Sequence, residues 1–244
     1  IVVLWLVAPD IRLFFLWQIV TSVLQTGVIR WILWKRICVD GHPAKFSLEV
    51  LKSVKGFAGD STLITAMSIV MTQADKMILS RMVSLEMLGF YMLAWTIASG
   101  LSRVGTPLIQ AFSPRFTELF SRADDKALAN QLRLASQLMS VLILPPVAFI
   151  VFFSEPILFA WTGDQAIAKS TAPILAFMVV GTALCNSSYP ALSILYSKKQ
   201  LRPAVVTNLV SMIILLPLLV FAVIQFNVMG AVFIWGLYGL FLYM

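Results

Sequence analysis

The chain has 244 residues, of which 60% are hydrophobic and only 12% are charged. Soluble domains carry about 25% charged residues, so this composition excludes an ordinary soluble domain. The net charge of +7 does not indicate nucleic-acid binding, because the basic residues lie in loops beside apolar segments, where membrane orientation and anionic lipid account for them. Cys38 and Cys185 lie in different segments, and with one histidine they predict neither a disulfide framework nor a zinc site.

Apolar segments of membrane-spanning length follow one another along the chain, so we predict an all-α, polytopic membrane helix bundle. The chain opens in an apolar run at residues 1–8 and stops inside another, and we expect it to be an internal piece of a longer protein. Further spans are predicted at residues 13–34, 56–79, 87–111, 134–153, 171–196, 203–224 and from 229 onward. Between them we predict an interfacial helix at 113–133 and a surface loop at 155–169, with kinks at Pro145-Pro146 and Pro190.

Lysine and arginine residues alternate between the loops of this layout. Twelve fall in the loops after the second, fourth and sixth spans, and three fall in the intervening loops. Because positively charged loops remain in the cytoplasm, this imbalance predicts that the three basic loops are cytoplasmic.

A polar stripe runs along the third span. Its members are spaced by four, three, four and three residues and so share one face of a helix: Ser61, Thr65, Ser68, Thr72 and Asp75. A charge at membrane depth is costly, so such a face usually lines a bundle interior or a wet cavity. The stripe therefore predicts a cavity-lining helix of a transporter. For any single hydroxyl, the alternative of a hydrogen bond that joins two helices stays open.

Three more spans carry polar stripes. Their members are Gln18, Ser22, Gln25 and Arg30 in the second span, Thr96, Ser99, Arg103, Thr106 and Gln110 in the fourth, and Thr182, Asn186, Tyr189 and Ser193 in the sixth. The candidate substrate-binding residues of the cavity are Arg30, Arg103, Gln25, Thr65, Thr72, Ser99, Thr106, Gln110 and Asn186. Arg30 and Arg103 are predicted near the cytoplasmic ends of their helices. There the two guanidinium groups could bind a pyrophosphate, and the alternative is that each extends to the lipid headgroups.

An acid and a base stand side by side at the external end of the third span. Asp75 and Lys76 are candidates for a gate or an ion-coupling group, and the alternative is a structural salt bridge to a neighbouring helix. Asp60 is predicted at the same depth in the membrane as Thr207 and Asn208. Their carboxylate, hydroxyl and amide oxygens could together coordinate Na⁺, so Asp60 and Asn208 are also ion-coupling candidates. We predict no catalytic residue, metal centre or cofactor, since the sequence contains no nucleophile–His–acid set and no phosphate-binding glycine loop.

Several segments resemble the polysaccharide (O-antigen type) flippases. QADKMILSRMVSLEMLGFYMLAWTIASGL is similar to their span–turn–span, in which an Asp is followed by a short turn and a Gly-x-Tyr, here Asp75, Gly89 and Tyr91. PLIQAFSPRFTELFSRADDKAL resembles the connection after their eighth helix, and EPILFAWTG resembles the external loop after the ninth. FSLEVLKSVKGFAG resembles the connection between their two halves.

This resemblance implies the fold of the multidrug/oligosaccharidyl-lipid/polysaccharide exporter superfamily, in which two bundles of six or more helices face each other across a central cavity. Residues 1–34 would then end the first bundle, 35–55 would form a basic cytoplasmic linker, and 56–244 would form most of the second bundle. The implied activity is alternating-access movement of a polyprenyl-pyrophosphate-linked oligosaccharide across the cytoplasmic (inner) membrane of a bacterium, for O-antigen or lipopolysaccharide synthesis. The implied partners are that substrate, membrane lipids, and the glycosyltransferases and polymerase of the same pathway, with no nucleic acid.

Other classes of membrane protein stay open. A cation-coupled multidrug antiporter of the same superfamily would need an acidic cavity, whereas the polar faces here lean cationic through Arg30 and Arg103. A membrane-embedded polysaccharide-synthesis enzyme would need a paired-carboxylate site or a large external loop, and the one acidic pair, Asp124-Asp125, lies in a basic surface helix. A scaffold without transport would not need aligned polar stripes. We therefore expect a transporter and not an enzyme.

Overall fold

A computed structural model of the protein describes residues 11–37 and 48–243. The chain divides into two compact units, Ile1–Leu51 and Lys52–Met244. In the first unit, α1 (Ile11–Ile37) is a single helix of 27 residues, and its side chains from residue 15 to 35 are exposed. The apolar run at residues 1–8, Cys38 and part of the predicted linker lie outside the described residues. The predicted division at 1–34, 35–55 and 56–244 stays a prediction.

The second unit contains a series of antiparallel and parallel helices joined by short turns. Its helices are α2 (Leu48–Met82), which begins just before the unit, α3 (Leu85–Ser121), α4 (Asp125–Phe152), α5 (Ser154–Thr162), α6 (Gln165–Ser187), α7 (Tyr189–Ser197), α8 (Arg202–Phe226) and α9 (Val228–Tyr243). The described residues contain no strand, so the predicted all-α class is confirmed.

Four described helical stretches are long and apolar enough to cross a membrane: Phe15–Lys35, Asp125–Phe152, Gln165–Ser197 and Arg202–Phe226. Large apolar side chains cover their outer faces, such as Val141 and Ile213, which are 70% and 63% exposed. A lipid environment satisfies such faces, because hydrocarbon chains are as apolar as the side chains themselves. The protein is a polytopic membrane helix bundle.

The helices α2 and α3 differ from those four stretches. They are 35 and 37 residues long, but they carry polar and charged residues, and neither is among the four stretches that are long and apolar enough to cross a membrane. A helix of 35 residues extends about 52 Å, well beyond a hydrocarbon core of about 30 Å. Both helices are therefore longer than the spans predicted for them at residues 56–79 and 87–111.

Two predicted connecting elements are wrong. Residues 113–133 form no separate interfacial helix, because α3 continues through Pro107 and Pro114 to Ser121 and α4 begins at Asp125. Residues 155–169 form no loop, because most of them belong to α5 or to the first turn of α6. In both places the density of charged and polar residues marks a surface, but backbone hydrogen bonds continue the helix there.

The ends of these helices follow from local side-chain chemistry. Ser84, Asp124 and Asp164 precede α3, α4 and α6, and each side chain accepts a hydrogen bond from a backbone N–H of the first turn. Gly163 ends α5 with a φ of +70°, a conformation that glycine adopts without steric cost. Pro145-Pro146 lies within α4, which is uninterrupted. Near Pro190 the helix breaks two residues earlier, at Ser188, between α6 and α7.

The central helix of the second unit is α6. Twelve of its 23 residues are buried, and it packs against α3, α4, α5 and α9. Three side-chain pairs join α3 to the α6–α7 segment: Ser102–Asn186, Ser113–Ser193 and Thr117–Ser197. Because both partners advance together along the chain, α3 and α6–α7 run in the same direction. The predicted layout likewise has the fourth and sixth spans cross the membrane in one direction.

Candidate functional site

A cavity of about 520 Å³ lies inside the second unit. This volume falls within the range of about 300–1,000 Å³ that is typical of small-molecule sites. Residues of α2, α3, α6, α7, α8 and α9 line it. The polar lining groups are hydroxyls, carboxamides and one thiol, from Ser68, Thr72, Gln73, Ser99, Ser102, Thr182, Cys185, Ser188, Tyr189, Thr207, Asn208 and Tyr238. Within the described part of the chain, no charged side chain is among the lining residues.

An aromatic wall closes one side of the cavity. The rings of Trp95 and Trp235 meet edge to face, with their centroids 4.8 Å apart and an interplanar angle of 74°. The Trp235 Nε1–H donates to Thr182 Oγ1 at 3.1 Å. Next to it, the Tyr238 hydroxyl donates to Asn208 Oδ1 at 3.2 Å. Each ring is thus fixed by packing and by a hydrogen bond or a neighbouring ring, which gives the wall a defined shape.

A buried charged cluster lies at the end of the cavity nearest the α2–α3 turn. Asp75 is 5% exposed, and its carboxylate accepts a hydrogen bond from the Tyr91 hydroxyl of α3. Lys76 Nζ lies 3.2 Å from Asp75 Oδ1 and donates to the Thr72 carbonyl at 2.6 Å. The same ammonium lies 3.8 Å from the centroid of the Trp95 ring. Asp75 and Tyr91, two residues that carry the family resemblance, are therefore direct partners across the turn.

The short helix α7 forms the opposite end of the cavity. Ser193 Oγ lies 2.7 Å from Ser113 Oγ, and Thr117 Oγ1 donates to Ser197 Oγ at 3.3 Å. A smaller cavity of about 170 Å³ lies behind α7 and shares Tyr189 and Leu192 with the large one. Turns flank α7 at residue 188 and at residues 198–200. The helix thus stands between two cavities and is joined to α3 by hydroxyl groups.

The structure brings some of the predicted substrate-binding residues together. Thr72 and Ser99 line the cavity. Four other candidates are exposed and do not line the cavity: Thr65, Arg103, Thr106 and Gln110. Gln25 and Arg30 are exposed on α1 in the first unit. Asn186 is fully buried and donates to Ser102 Oγ and to the Thr182 carbonyl, so its amide joins α6 to α3. The roles of all these residues stay predictions.

The gate and ion-coupling candidates are placed differently from one another. Asn208 lines the cavity, and its amide is engaged by Tyr238 and by the Ala204 carbonyl. Asp60 is half-buried on α2 and is not among the lining residues. For Asp75, the ion pair is made with Lys76 of its own helix, and the bond to the neighbouring helix comes from a tyrosine.

Several lining residues were not among the candidates. Trp95 and Ser102 share a helix face with the candidate Ser99, at spacings of four and three residues, but the charge of Arg103 favoured the adjacent face. Trp235 and Tyr238 are spaced by three residues on α9, a helix whose apolar sequence gives no stripe to follow. The spacing of these two aromatic residues, three positions apart on one helix face, was the sequence feature that could have indicated the aromatic wall.

Comparison with known proteins identifies a family. A family model described as polysaccharide biosynthesis protein matches residues 11–171, which is more than half of the chain. The match includes the Asp75–Tyr91 pair and ends within α6, so α7, α8, α9 and the Trp235 side of the cavity lie beyond it. No curated protein and no solved structure matches the chain.

Proposed function

We propose that this chain, which belongs to the family of polysaccharide biosynthesis proteins, acts as a flippase. Its substrate would be a polyprenyl-pyrophosphate-linked oligosaccharide, moved across the cytoplasmic membrane of a bacterium by alternating access during surface polysaccharide synthesis. The protein would act as a transporter and not as an enzyme. Glycosyltransferases and the polymerase of the same pathway would supply and consume the substrate.

The observation that carries this proposal is an uncharged cavity inside a membrane bundle, whose mainly apolar lining also carries hydroxyl and carboxamide groups. Polar groups buried at membrane depth are costly unless they find partners, so a bundle that only anchors a protein has no need of such a chamber. An oligosaccharide is itself rich in hydroxyl groups and loses its water when it crosses the membrane. A cavity of this chemistry offers replacement hydrogen bonds without adding charge.

The same lining argues against a multidrug antiporter, our second candidate function. A carrier of cationic drugs needs an acidic surface to offset the charge of the drug. In the described residues the nearest acid, Asp75, is bonded to Tyr91 and Lys76 and is not among the lining residues. The antiporter would therefore have to supply its anionic site from elsewhere.

Arg103 keeps the predicted role of a pyrophosphate ligand. It follows the lining residue Ser102 and is exposed on α3, so its guanidinium would meet a phosphate beside the cavity and not within it. We expect Arg103→Gln to reduce transport about tenfold while the amount of inserted protein stays the same. Lys126→Gln, an exposed charge at the start of α4, is the matched control. Unchanged transport by the Arg103→Gln protein would remove Arg103 from the site.

The function is tested by deleting the gene in its source bacterium and restoring the full-length coding sequence on a plasmid. The expected result is loss of surface polysaccharide with build-up of the undecaprenyl-linked precursor on the cytoplasmic side, reversed by the plasmid. Normal surface polysaccharide in the deletion strain would overturn the proposal. Increased sensitivity to cationic drugs in place of the polysaccharide defect would favour the antiporter.

A further inference from the structure

We infer that this cavity binds an uncharged sugar unit of the cargo and discriminates against sugars that carry a carboxylate. The inference rests on the proposed function and adds the substrate selectivity of the same site. It depends on three features of the lining: a fixed aromatic wall, hydroxyl groups that keep only acceptor capacity, and the absence of an available cation among the described residues.

The aromatic wall suits a pyranose ring. Trp95 and Trp235 present large apolar surfaces on which the C–H groups of a sugar can pack, while the sugar hydroxyls remain free to hydrogen-bond around the rim. Both rings are held in place, one beneath the Lys76 ammonium and the other by its bond to Thr182. Because the wall is preorganised, a sugar would not have to order these side chains when it binds.

Three hydroxyl groups of the lining, one on each of α2, α3 and α6, are already used as donors by their own helices. Thr72 donates to the Ile69 carbonyl at 3.2 Å, Ser99 donates to the Thr96 carbonyl at 3.0 Å, and Thr182 donates to the Met178 carbonyl at 2.9 Å. These three oxygens therefore keep only acceptor capacity, part of which Thr182 already uses for the Trp235 Nε1–H. A neutral sugar hydroxyl can donate to such oxygens, whereas an ionised carboxylate accepts only and would meet acceptors.

No cation among the described residues is placed to compensate a carboxylate in the cavity. The nearest ammonium, that of Lys76, is paired with Asp75 and bonded to the Thr72 carbonyl. A carboxylate brought here would lose its water without gaining a charged partner, which is among the more costly events in a low-dielectric interior. The same argument places the pyrophosphate of the cargo outside this cavity.

The experiment compares matched pairs of soluble probes that differ only at C6 of the sugar. The full-length protein in nanodiscs is titrated by calorimetry with citronellyl pyrophosphates that carry glucose, galactose or N-acetylglucosamine, and with the corresponding uronic acids. We expect at least one neutral probe to bind and its uronic partner to bind at least about tenfold more weakly. Equal affinities within every pair, tighter binding of the uronic acids, or no binding of any neutral probe would each overturn the inference.

Tryptophan variants assign the binding to this cavity. Trp95→Leu and Trp235→Leu should each lower the affinity for the neutral probe at least about tenfold. The control is Trp161→Leu, which removes an indole that is 59% exposed on α5 and should leave that affinity unchanged. If a leucine variant does not fold, Trp235→Phe keeps a ring but loses the bond to Thr182, and it should weaken binding by a smaller factor. Unchanged affinity in every folded cavity variant would place the sugar elsewhere and overturn the inference.

The two proposals fail in distinguishable ways. If the wild-type gene restores surface polysaccharide but the matched probes bind equally, the selectivity is wrong and the flippase function stands. If the wild-type gene does not restore polysaccharide, the flippase function is wrong, and the calorimetric comparison still decides whether the cavity prefers a neutral sugar.

Discussion

Different chemistry closes the two ends of the cavity. At the end nearest the α2–α3 turn, Asp75, Lys76 and Tyr91 form a buried charged cluster that also holds Trp95 in place. At the other end, α7 contacts α3 through pairs of neutral hydroxyl groups, such as Ser113–Ser193, and has a second cavity behind it. Breaking a buried ion pair costs about 3–5 kcal/mol, whereas hydrogen bonds between membrane helices contribute about 0.6 kcal/mol each.

This difference indicates which end of the cavity is able to open. The charged cluster joins α2 to α3 through the Tyr91 hydroxyl, which donates to Asp75, and through the Lys76 ammonium over the Trp95 ring. Lipid cannot replace a hydrogen bond to a buried carboxylate, so we expect that end to stay closed. The α7 helix has turns at both ends and space on two sides, and its hydroxyl groups can exchange one partner for another at little cost. By the positive-inside prediction, α7 leads into a basic cytoplasmic loop, so the mobile end would be the cytoplasmic one.

The largest effect is expected at the charged cluster. Asp75→Ala leaves the Lys76 ammonium buried without its counter-ion and the Tyr91 hydroxyl without its acceptor, so the free energy of unfolding should fall by about 3–5 kcal/mol. Reversible unfolding in mixed detergent micelles measures it. Asp75→Asn keeps an acceptor for Tyr91 and should lose less, and the exposed Glu86→Gln is the control. A loss in Asp75→Ala no larger than in the control would mean that this end is not locked.

An intermediate effect is expected where α6 meets the aromatic wall. A Cβ added at Gly181 would lie 2.8 Å from Trp235 Cδ1 and 3.1 Å from the Gly236 backbone. Gly181→Ala should therefore displace the indole and lower the free energy of unfolding by about 1–3 kcal/mol. Gly236→Ala is a matched control from the same contact, because its Cβ would meet nothing within 4 Å. Equal stabilities of the two variants would show that the wall tolerates movement.

The smallest effect is expected at α7. Ser193→Ala and Thr117→Val each remove one hydroxyl partner between α7 and α3, and each should cost about 0.6 kcal/mol. Amide hydrogen exchange should nevertheless become faster in α7, because this end depends on such weak contacts. Ser140→Ala, which removes an exposed hydroxyl bonded within α4, is the control. A loss as large as that of Asp75→Ala would contradict the proposed contrast between the two ends.

Parts of the fold could be predicted because their causes are local. Apolar runs of membrane-spanning length predicted α1 and α8 close to their observed bounds, whereas α4 and α6 begin at Asp125 and Gln165, earlier than the predicted residues 134 and 171. The errors at residues 113–133 and 155–169 arose because charge density reports where a helix leaves the membrane, whereas backbone hydrogen bonds decide where it ends. Asp124 and Asp164 cap the N-termini of α4 and α6, because each carboxylate accepts a hydrogen bond from a backbone N–H of the first turn. An acidic residue in a polar stretch does not by itself indicate that a helix begins there.

The candidate site was predictable only in part, for a geometric reason. On α2, polar spacing led to Thr72, which lines the cavity, and to Asp75, which is buried beside it. On α3, Ser99 belongs both to a stripe with Arg103 and to a stripe with Ser102, and the sequence favoured the one that the structure places outside the cavity. Periodicity gives the angle between two residues about a helix axis, but it does not say which angle faces a neighbour.

The sequence by itself determined that this protein is a bundle of membrane helices and that polar groups follow particular helix faces, because both properties depend on composition and on the fixed period of the α-helix. Only the tertiary structure decided that Asp75 meets Tyr91, that Asn186 joins two helices, and that Trp95 and Trp235 form one wall. These contacts join residues 16, 84 and 140 positions apart. They depend on how each helix is rotated against its neighbours, which packing sets and local sequence does not encode.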